Sequence, residues 1–446
     1  MHCRASQSLS PTYNKFMNYP AEIEITPLTK PPNAMVSVPG SKSITNRALV
    51  LAALAGADCI LTGALQSEDT EVMIESLRKL GFILDCDWTA NTIRIHENIV
   101  GRKILATHAD LFVANSGTSM RFLAAMVATG EGTYRLDGIA RMRERPIQDL
   151  IDSLNHLGVK ARSESNNGCP PIVIASHGLN GGRVAMKAAT SSQFLSALMM
   201  AAPYAKGTVE IELVGPVVSE PYIDMTVAMM RQWGHPVEVS GRVFSIPPST
   251  LASTHDYAIE PDASAASYFF AVAAIAGGNV TVNGMTRDML QGDVKFVDAL
   301  QTMGCTATYS TSSIMLAVEP TARLHGITID MNAISDTVMT LAAVACFADG
   351  PTTIRNVAHI RHKETDRIAA LATELRKLGV GVVEFDDGLT ITPRPMKGCA
   401  VDTYNDHRMA MSLALIGLKV PGVVIRNPGC VAKTYPGFWQ DFELLR

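Results

Sequence analysis

The sequence predicts an α/β protein of two domains, each assembled from three copies of one strand–helix unit. Three observations carry this. Five amphipathic stretches end in the same way, as "LRKLG", "LNHLG", "MRQWG", "LQTMG" and "LRKLG". Their glycines, Gly81, Gly158, Gly234, Gly304 and Gly379, recur at intervals of 70 to 77 residues. A glycine at that place suits a left-handed helix C-cap, and a β-like segment follows each time. Short alternating strands that also end at glycine ("CILTG", "YRLDG", "EIELVG", "VTVNG") precede the helices. A large period with α/β content marks a repeated supersecondary unit.

A sixth copy begins at "VVIRNPG" (423–429), which matches "TTIRNVA" (352–358), and the chain ends before its last strand. The segment "AEIEITPL" (21–28) is expected to supply that strand from the other end of the chain. One domain is therefore expected to comprise residues 21–40 and 260–446, and the other 41–259, with the functional site in the cleft between them. At 446 residues the chain exceeds one ordinary core, as this division requires. Residues 1–20 lack an apolar signal core and are expected to be a disordered extension, with a transit-peptide remnant as the alternative.

Composition narrows the functional class. Hydrophobic residues make up 47%, charged residues 18%, and the formal net charge is -4. That is a globular chain without the basic balance of a nucleic-acid binder. Its longest apolar runs, such as 338–348, fall well short of the roughly 18 residues of a membrane span. The eight cysteines form no CxxC pair, which points to reduced thiols in a cytoplasmic compartment. His359, His362 and Glu364 do not have HExxH spacing, so no metal is expected.

The distinctive residues lie at helix starts. "VPGSKSITNRALVLAALAGA" (38–57) puts Lys42, Ser43 and Arg47 at the head of an apolar helix. Two readings are open. One is capping by Ser41 or Ser43 with the cations on solvent; the other is an anion seat on free backbone N–H groups. The pattern is not that of a nucleotide P-loop. "VANSGTSMRFL" (113–123) repeats the logic, with Asn115 and Ser116 before a glycine, Gly117, that lets a ligand approach the backbone. "RMRERPI" (141–147) carries Arg145, and "ATSSQFLSAL" (189–198) offers Ser191, Ser192 and Gln193.

In the second half Asp336 immediately precedes an apolar helix and is expected to cap it. Lys363 and Arg367, four apart around Glu364, are expected to share a helix face. Two cations at a helix start oppose the dipole, a conflict that a bound anion resolves. "YNDHRMAMSLAL" (404–415) adds His407 and Arg408, and "CVAKTYPGF" (430–438) adds Lys433. Together these starts predict a cleft that binds at least two anionic groups. No His–Asp pair accompanies the serines, so no nucleophilic serine is expected.

These motifs, with "SEPYIDMT" and "RHKETDRI", resemble in kind and order those of the 5-enolpyruvylshikimate-3-phosphate synthase family, over nearly the whole chain after residue 20. The resemblance implies a two-domain inside-out α/β barrel of six βαβαββ-type units. It also implies transfer of the enolpyruvyl group of phosphoenolpyruvate to the 5-hydroxyl of shikimate 3-phosphate, by a cytoplasmic monomer without metal or organic cofactor. Carried over by position, Lys42, Ser43, Arg47, Ser191, Ser192, Gln193, Ser219, Tyr222, Asp336, His359 and Lys363 are the implied shikimate 3-phosphate ligands. Lys42, Asn115, Gly117, Arg145, Gln193, Arg367, His407, Arg408 and Lys433 are the implied phosphoenolpyruvate set. Asp336 corresponds to the base on the 5-hydroxyl and Glu364 to the acid at the methylene carbon, with Lys42 assisting. Those roles require one carboxylate ionised and the other protonated in the ternary complex, so their environments must differ.

Two departures from the family pattern stand out. Phe122 occupies a position that is often proline, and Glu220 one that is often lysine. Phe122 is expected to alter the start of its helix and so the response to glyphosate, an inhibitor that the resemblance places in the phosphoenolpyruvate pocket. Two alternatives are a UDP-N-acetylglucosamine enolpyruvyl transferase and a non-catalytic anion-binding protein of the same fold. The first usually carries a loop cysteine in the region of 131–150, absent here. The second has little reason to keep both Asp336 and Glu364.

Overall fold

Each of the five glycine-ended helices closes in the same hydrogen-bonded turn. The glycines have φ of 98°, 85°, 77°, 106° and 94° in chain order. The residue after each returns a hydrogen bond to the helix, as from Phe82 N to Leu77 O (3.1 Å) and from Val380 N to Leu375 O (3.0 Å). This is the Schellman closure, and it sends the chain straight into the next strand. The structure is a computed structural model that describes residues 19–97, 104–250, 256–319 and 322–446. The expectation of disorder for residues 1–20 falls, up to residue 18, outside the described residues.

One unit shows the pattern. Strands His108–Phe112 and Glu131–Asp137 run parallel, joined by helix Gly117–Val127. Helix Gln148–His156 leads to strand Lys160–Ser163, and Ile172–His177 then inserts antiparallel between the last two strands. Five four-stranded sheets share this order. The sixth has three strands: Ala400–Val401 parallel to Val424–Arg426, and Glu22–Glu24 antiparallel on its other side. The expected strand within 21–28 therefore closes the last unit, with Ile23 opposite Ile425.

Helices Gly117–Val127, Ala263–Ala276, Val338–Ala345 and His407–Gly417 fill the interior, while the glycine-ended helices keep an exposed face. Ala263–Ala276 is buried along its whole length, as its apolar sequence requires. Strands alternate instead: Gly182–Ala188 buries Val184, Met186 and Ala188 and exposes the residues between them. Two separate cores result. One is built from residues 44–259, the other from 25–38 and 263–445. Only two stretches of chain cross between them, and they bond to each other through Ser41 N to Glu260 O and Asp262 N to Pro39 O, both 2.8 Å. Gly40 fits this crossing because a Cβ there would lie 1.9 Å from the carbonyl oxygen of Gly63. No helix among the described residues is long and apolar enough to cross a membrane.

Candidate active site

Interior helices begin at Lys42, Gly117, Gln193 and His407, and a fifth at Val338 just after Asp336. These starts converge where the two halves meet. They line two adjoining cavities that share Lys42, Thr118, Gln193, Asp336 and Lys363. The first also presents Ser43, Arg47, Ser191, Ser192, Ser219, Tyr222 and His359. Gly117, Arg145, Glu364, Arg367, His407 and Arg408 belong to the second. Six cations and two carboxylates thus face one enclosed space. Helix N-termini add partial positive charge on the same side.

Arg47 enters the first cavity from the second turn of its helix and is 2% exposed. It donates to Thr226 Oγ1 (2.8 Å), Ser43 O (2.9 Å), Ser196 Oγ and Tyr222 O (both 3.2 Å). Its guanidinium carbon lies 5.1 Å from the centre of the Phe122 ring. Burial pushes it down to about 10. Among the described residues, no carboxylate lies within 4.0 Å of Arg47. A cation enclosed by neutral groups is an anion site in waiting.

Across the cavity, Ser219 stands at φ 53° on the turn before helix Pro221–Gln232. Its hydroxyl meets His359 Nε2 (3.3 Å) and Ser335 Oγ (3.2 Å), while Asn332 Oδ1 accepts from its backbone N–H (3.0 Å). Burial, then the charge of Lys363, lowers His359 to about 3, so its ring is neutral. Tyr222 donates to the buried Asp293 (2.5 Å).

Arg367 organises the second cavity. It bonds Asp406 Oδ2 and Glu364 Oε2 (both 2.8 Å) and reaches Asp336 Oδ1 (3.3 Å). Arg408 Nη2 meets Asp336 Oδ2 (2.8 Å), and Lys363 Nζ lies 3.7 Å from Oδ1. Burial alone would raise both carboxyls. Arg408, Lys363, Arg367 and Lys42 overcome it at Asp336, as do Arg367, Arg145 and Lys433 at Glu364. Both are held well below the usual carboxylate range. Arg145 packs beneath Gly117, where a Cβ would meet its Nη2 at 2.4 Å; no side chain fits without moving that guanidinium. His407, 1% exposed, makes no ring hydrogen bond among the described residues, and its Nδ1 lies 3.7 Å from Asp406 Oδ1.

Several expectations are corrected. Asp336 does not cap a helix: it sits in the 3-10 turn Asn332–Thr337 and spends its oxygens on three cations. Lys363 and Arg367 do not share a helix face, because the helix starts at Arg367 with Asp366 as its cap and Lys363 lies outside it. They meet at Asp336 instead. Asn115 and Lys433 stand behind the cavities: Lys433 bonds Asp69 and the Asn115 carbonyl, and that carbonyl also accepts from Arg145 (2.9 Å). Phe122 leaves the helix start regular, capped by Ser116, and lies under Arg47. Asp69, buried between Lys433 and Lys42, was missed from sequence. It reads there as an ordinary first-turn acid.

The model of the family described as EPSP synthase (3-phosphoshikimate 1-carboxyvinyltransferase) matches residues 28–442. A protein of that second name from Nostoc punctiforme is 48% identical over 423 residues, 94% of this chain and 98% of the relative. Another from Marinomonas sp. (strain MWYL1) is 45% identical over 426 residues, covering 95% and 99%. An EPSP synthase structure from Acinetobacter baumannii superposes with a TM-score of 0.79 at 24% identity, over 95% of this chain and 98% of that one. It supports the fold.

Proposed function

Because the chain belongs to the EPSP synthase (3-phosphoshikimate 1-carboxyvinyltransferase) family, we propose that it transfers the enolpyruvyl group of phosphoenolpyruvate to shikimate 3-phosphate and releases phosphate. The observation that carries this reading is the pair of adjoining cavities with six cations against two carboxylates. Two polyanions must meet there. At about 4 Å, each pair of like unit charges costs about 4 kcal/mol at an effective dielectric near 20. The shared wall of Lys42 and Lys363 offsets that repulsion where it is greatest.

In this reading the first cavity holds shikimate 3-phosphate, with Arg47, Ser191, Ser192, Ser219 and Lys363 on its anionic groups. The second holds phosphoenolpyruvate on Arg145, Arg367 and Arg408, with Asn115 and Lys433 supporting from behind; glyphosate competes there. The 5-hydroxyl adds to C2 of phosphoenolpyruvate while Asp336 takes its proton and Glu364 protonates C3. The tetrahedral adduct then loses phosphate as a proton leaves the new methyl group. Glu364 begins ionised and must gain a proton. Phosphoenolpyruvate supplies the reason, since its phosphate and carboxylate engage the cations that hold Glu364 down.

The two bodies, 41–259 and 21–40 with 260–446, close on the ligands as units. A site complete within one chain suits a monomer, and the likeness to bacterial relatives suits a cytoplasmic enzyme. A coupled phosphate-release assay with both candidate acceptors tests the proposal. Release with phosphoenolpyruvate and shikimate 3-phosphate is expected. Release only with UDP-N-acetylglucosamine, or with neither, would overturn it.

A further inference from the structure

Of the three arginines in 141–147, Arg145 lines the cavity and Arg143 pairs with Asp137 (2.8 Å). Arg141 does neither. Its side chain crosses to the other body and donates to two backbone carbonyls there. Nε and Nη2 reach Lys363 O (3.2 and 3.1 Å), and Nη2 also reaches Arg361 O (3.2 Å). Glu144 holds the guanidinium from its own side through Nη1 (2.8 Å).

Both ends of this contact are stiff. Arg141 and Arg145 flank the 3-10 turn Met142–Glu144, anchored by the fully buried Met142. The receiving carbonyls belong to the end of the turn Ala358–His362, where helical bonding stops and oxygens are left without partners. That turn is clamped to its own body by Arg361, which bonds both oxygens of Asp366 (3.0 and 2.9 Å), Glu384 (3.0 Å) and Phe385 O (2.7 Å). Lys363 O is one peptide bond from Glu364, and Arg145 is among the cations that hold Glu364 ionised. A single turn therefore delivers one arginine to the backbone beside Glu364 and another to its carboxylate.

We infer that Arg141 is a positioning residue: it latches the 358–364 turn onto the 141–145 turn and so sets Glu364 and Lys363 against Arg145 when the cleft is closed. This rests on the enolpyruvyl-transfer reading for its chemistry, though not for its geometry. A planar fork of fixed donors can serve two carbonyls at once; a lysine ammonium on a flexible stem holds one less firmly.

The test compares Arg141→Gln and Arg141→Lys with the parent, using Arg143→Ala as a control outside the site. Steady-state turnover is measured beside small-angle scattering with saturating shikimate 3-phosphate. Arg141 is partly exposed, so Gln is expected to melt within about 2 °C of the parent. Its kcat should fall about 10- to 100-fold, as misplacement of reacting groups does, with the Michaelis constant for shikimate 3-phosphate changed less than about threefold. Ligand-induced compaction should weaken, Lys should recover part of both, and Arg143→Ala should match the parent. Parental kcat in Arg141→Gln, or a loss of kcat with compaction intact, would overturn the latch. If the parent itself releases no phosphate, the functional reading has failed, and the scattering comparison alone decides the latch.

Discussion

Among the described residues, hydroxyls, carbonyls and two aromatic rings surround the Arg47 guanidinium. An enclosed cation without a counter-charge is a cost to the empty protein, and replacing such a charge with an apolar side chain is often neutral or stabilising. Arg47→Met is therefore expected to leave the thermal midpoint of the ligand-free protein unchanged or raised, yet to weaken shikimate 3-phosphate binding about 100-fold or more. Calorimetry reads both quantities on one sample. A stabilised variant with undiminished affinity would show that Arg47 serves no ligand. Asp336 and Glu364 behave in the opposite way, since each is the counter-charge of several cations. Asp336→Ala and Glu364→Ala should each lower turnover by about 10²–10⁴-fold while shikimate 3-phosphate still binds. Parental turnover in either variant removes that residue from the chemistry.

The 3-10 turn Ala358–His362 carries a buried, neutral imidazole in His359. Its folded pKa, about 3, lies below the ordinary 6.5, so the unfolded chain binds the proton more readily between those values. Stability contributed by this group is full above pH 6.5 and declines as pH falls toward 3, by about 1.4 kcal/mol per pH unit. His407 is shifted in the same direction. His359→Gln should accordingly lose about 2 kcal/mol less than the parent between pH 7 and pH 5, read from urea midpoints. An equal loss in both proteins would mean that His359 is already protonated in the fold. Elements of this kind also separate what the sequence discloses from what it withholds. The glycine-ended helices were legible because their closure is local: five residues and one left-handed glycine suffice. Helix starts rich in donors were legible for the same reason. The turns holding Asp336 and Lys363 were not, because tertiary ion pairs override the capping and helix-face preferences of their neighbours. Asp69 left no trace at all. Its partner Lys433 is 364 positions away, and nothing local distinguishes it from Glu68 or Glu71 beside it.

At the scale of the molecule, the cleft gathers six cations and two carboxylates between two bodies joined by two stretches of chain. The mutual repulsion of the cations favours opening, and bound anions reverse its sign. Saturating shikimate 3-phosphate should therefore reduce the radius of gyration, with the reduction largest at low salt, where charges are least screened. A scattering profile indifferent to ligand at every salt concentration would exclude electrostatic closure. The crossing of the chain between bodies also orders events during synthesis. Every strand in the sheets of the 44–259 core comes from within that stretch, so it can complete as soon as it has left the ribosome. Strand Asn33–Ser37 must instead wait for Gly278–Asn283, and Glu22–Glu24 for Val424–Arg426, whose Arg426 lies 404 positions beyond Glu22. These two strands are thus sheltered long after they are made. Until then they are unpaired strand edges on a growing chain, the kind of surface that holdase chaperones occupy.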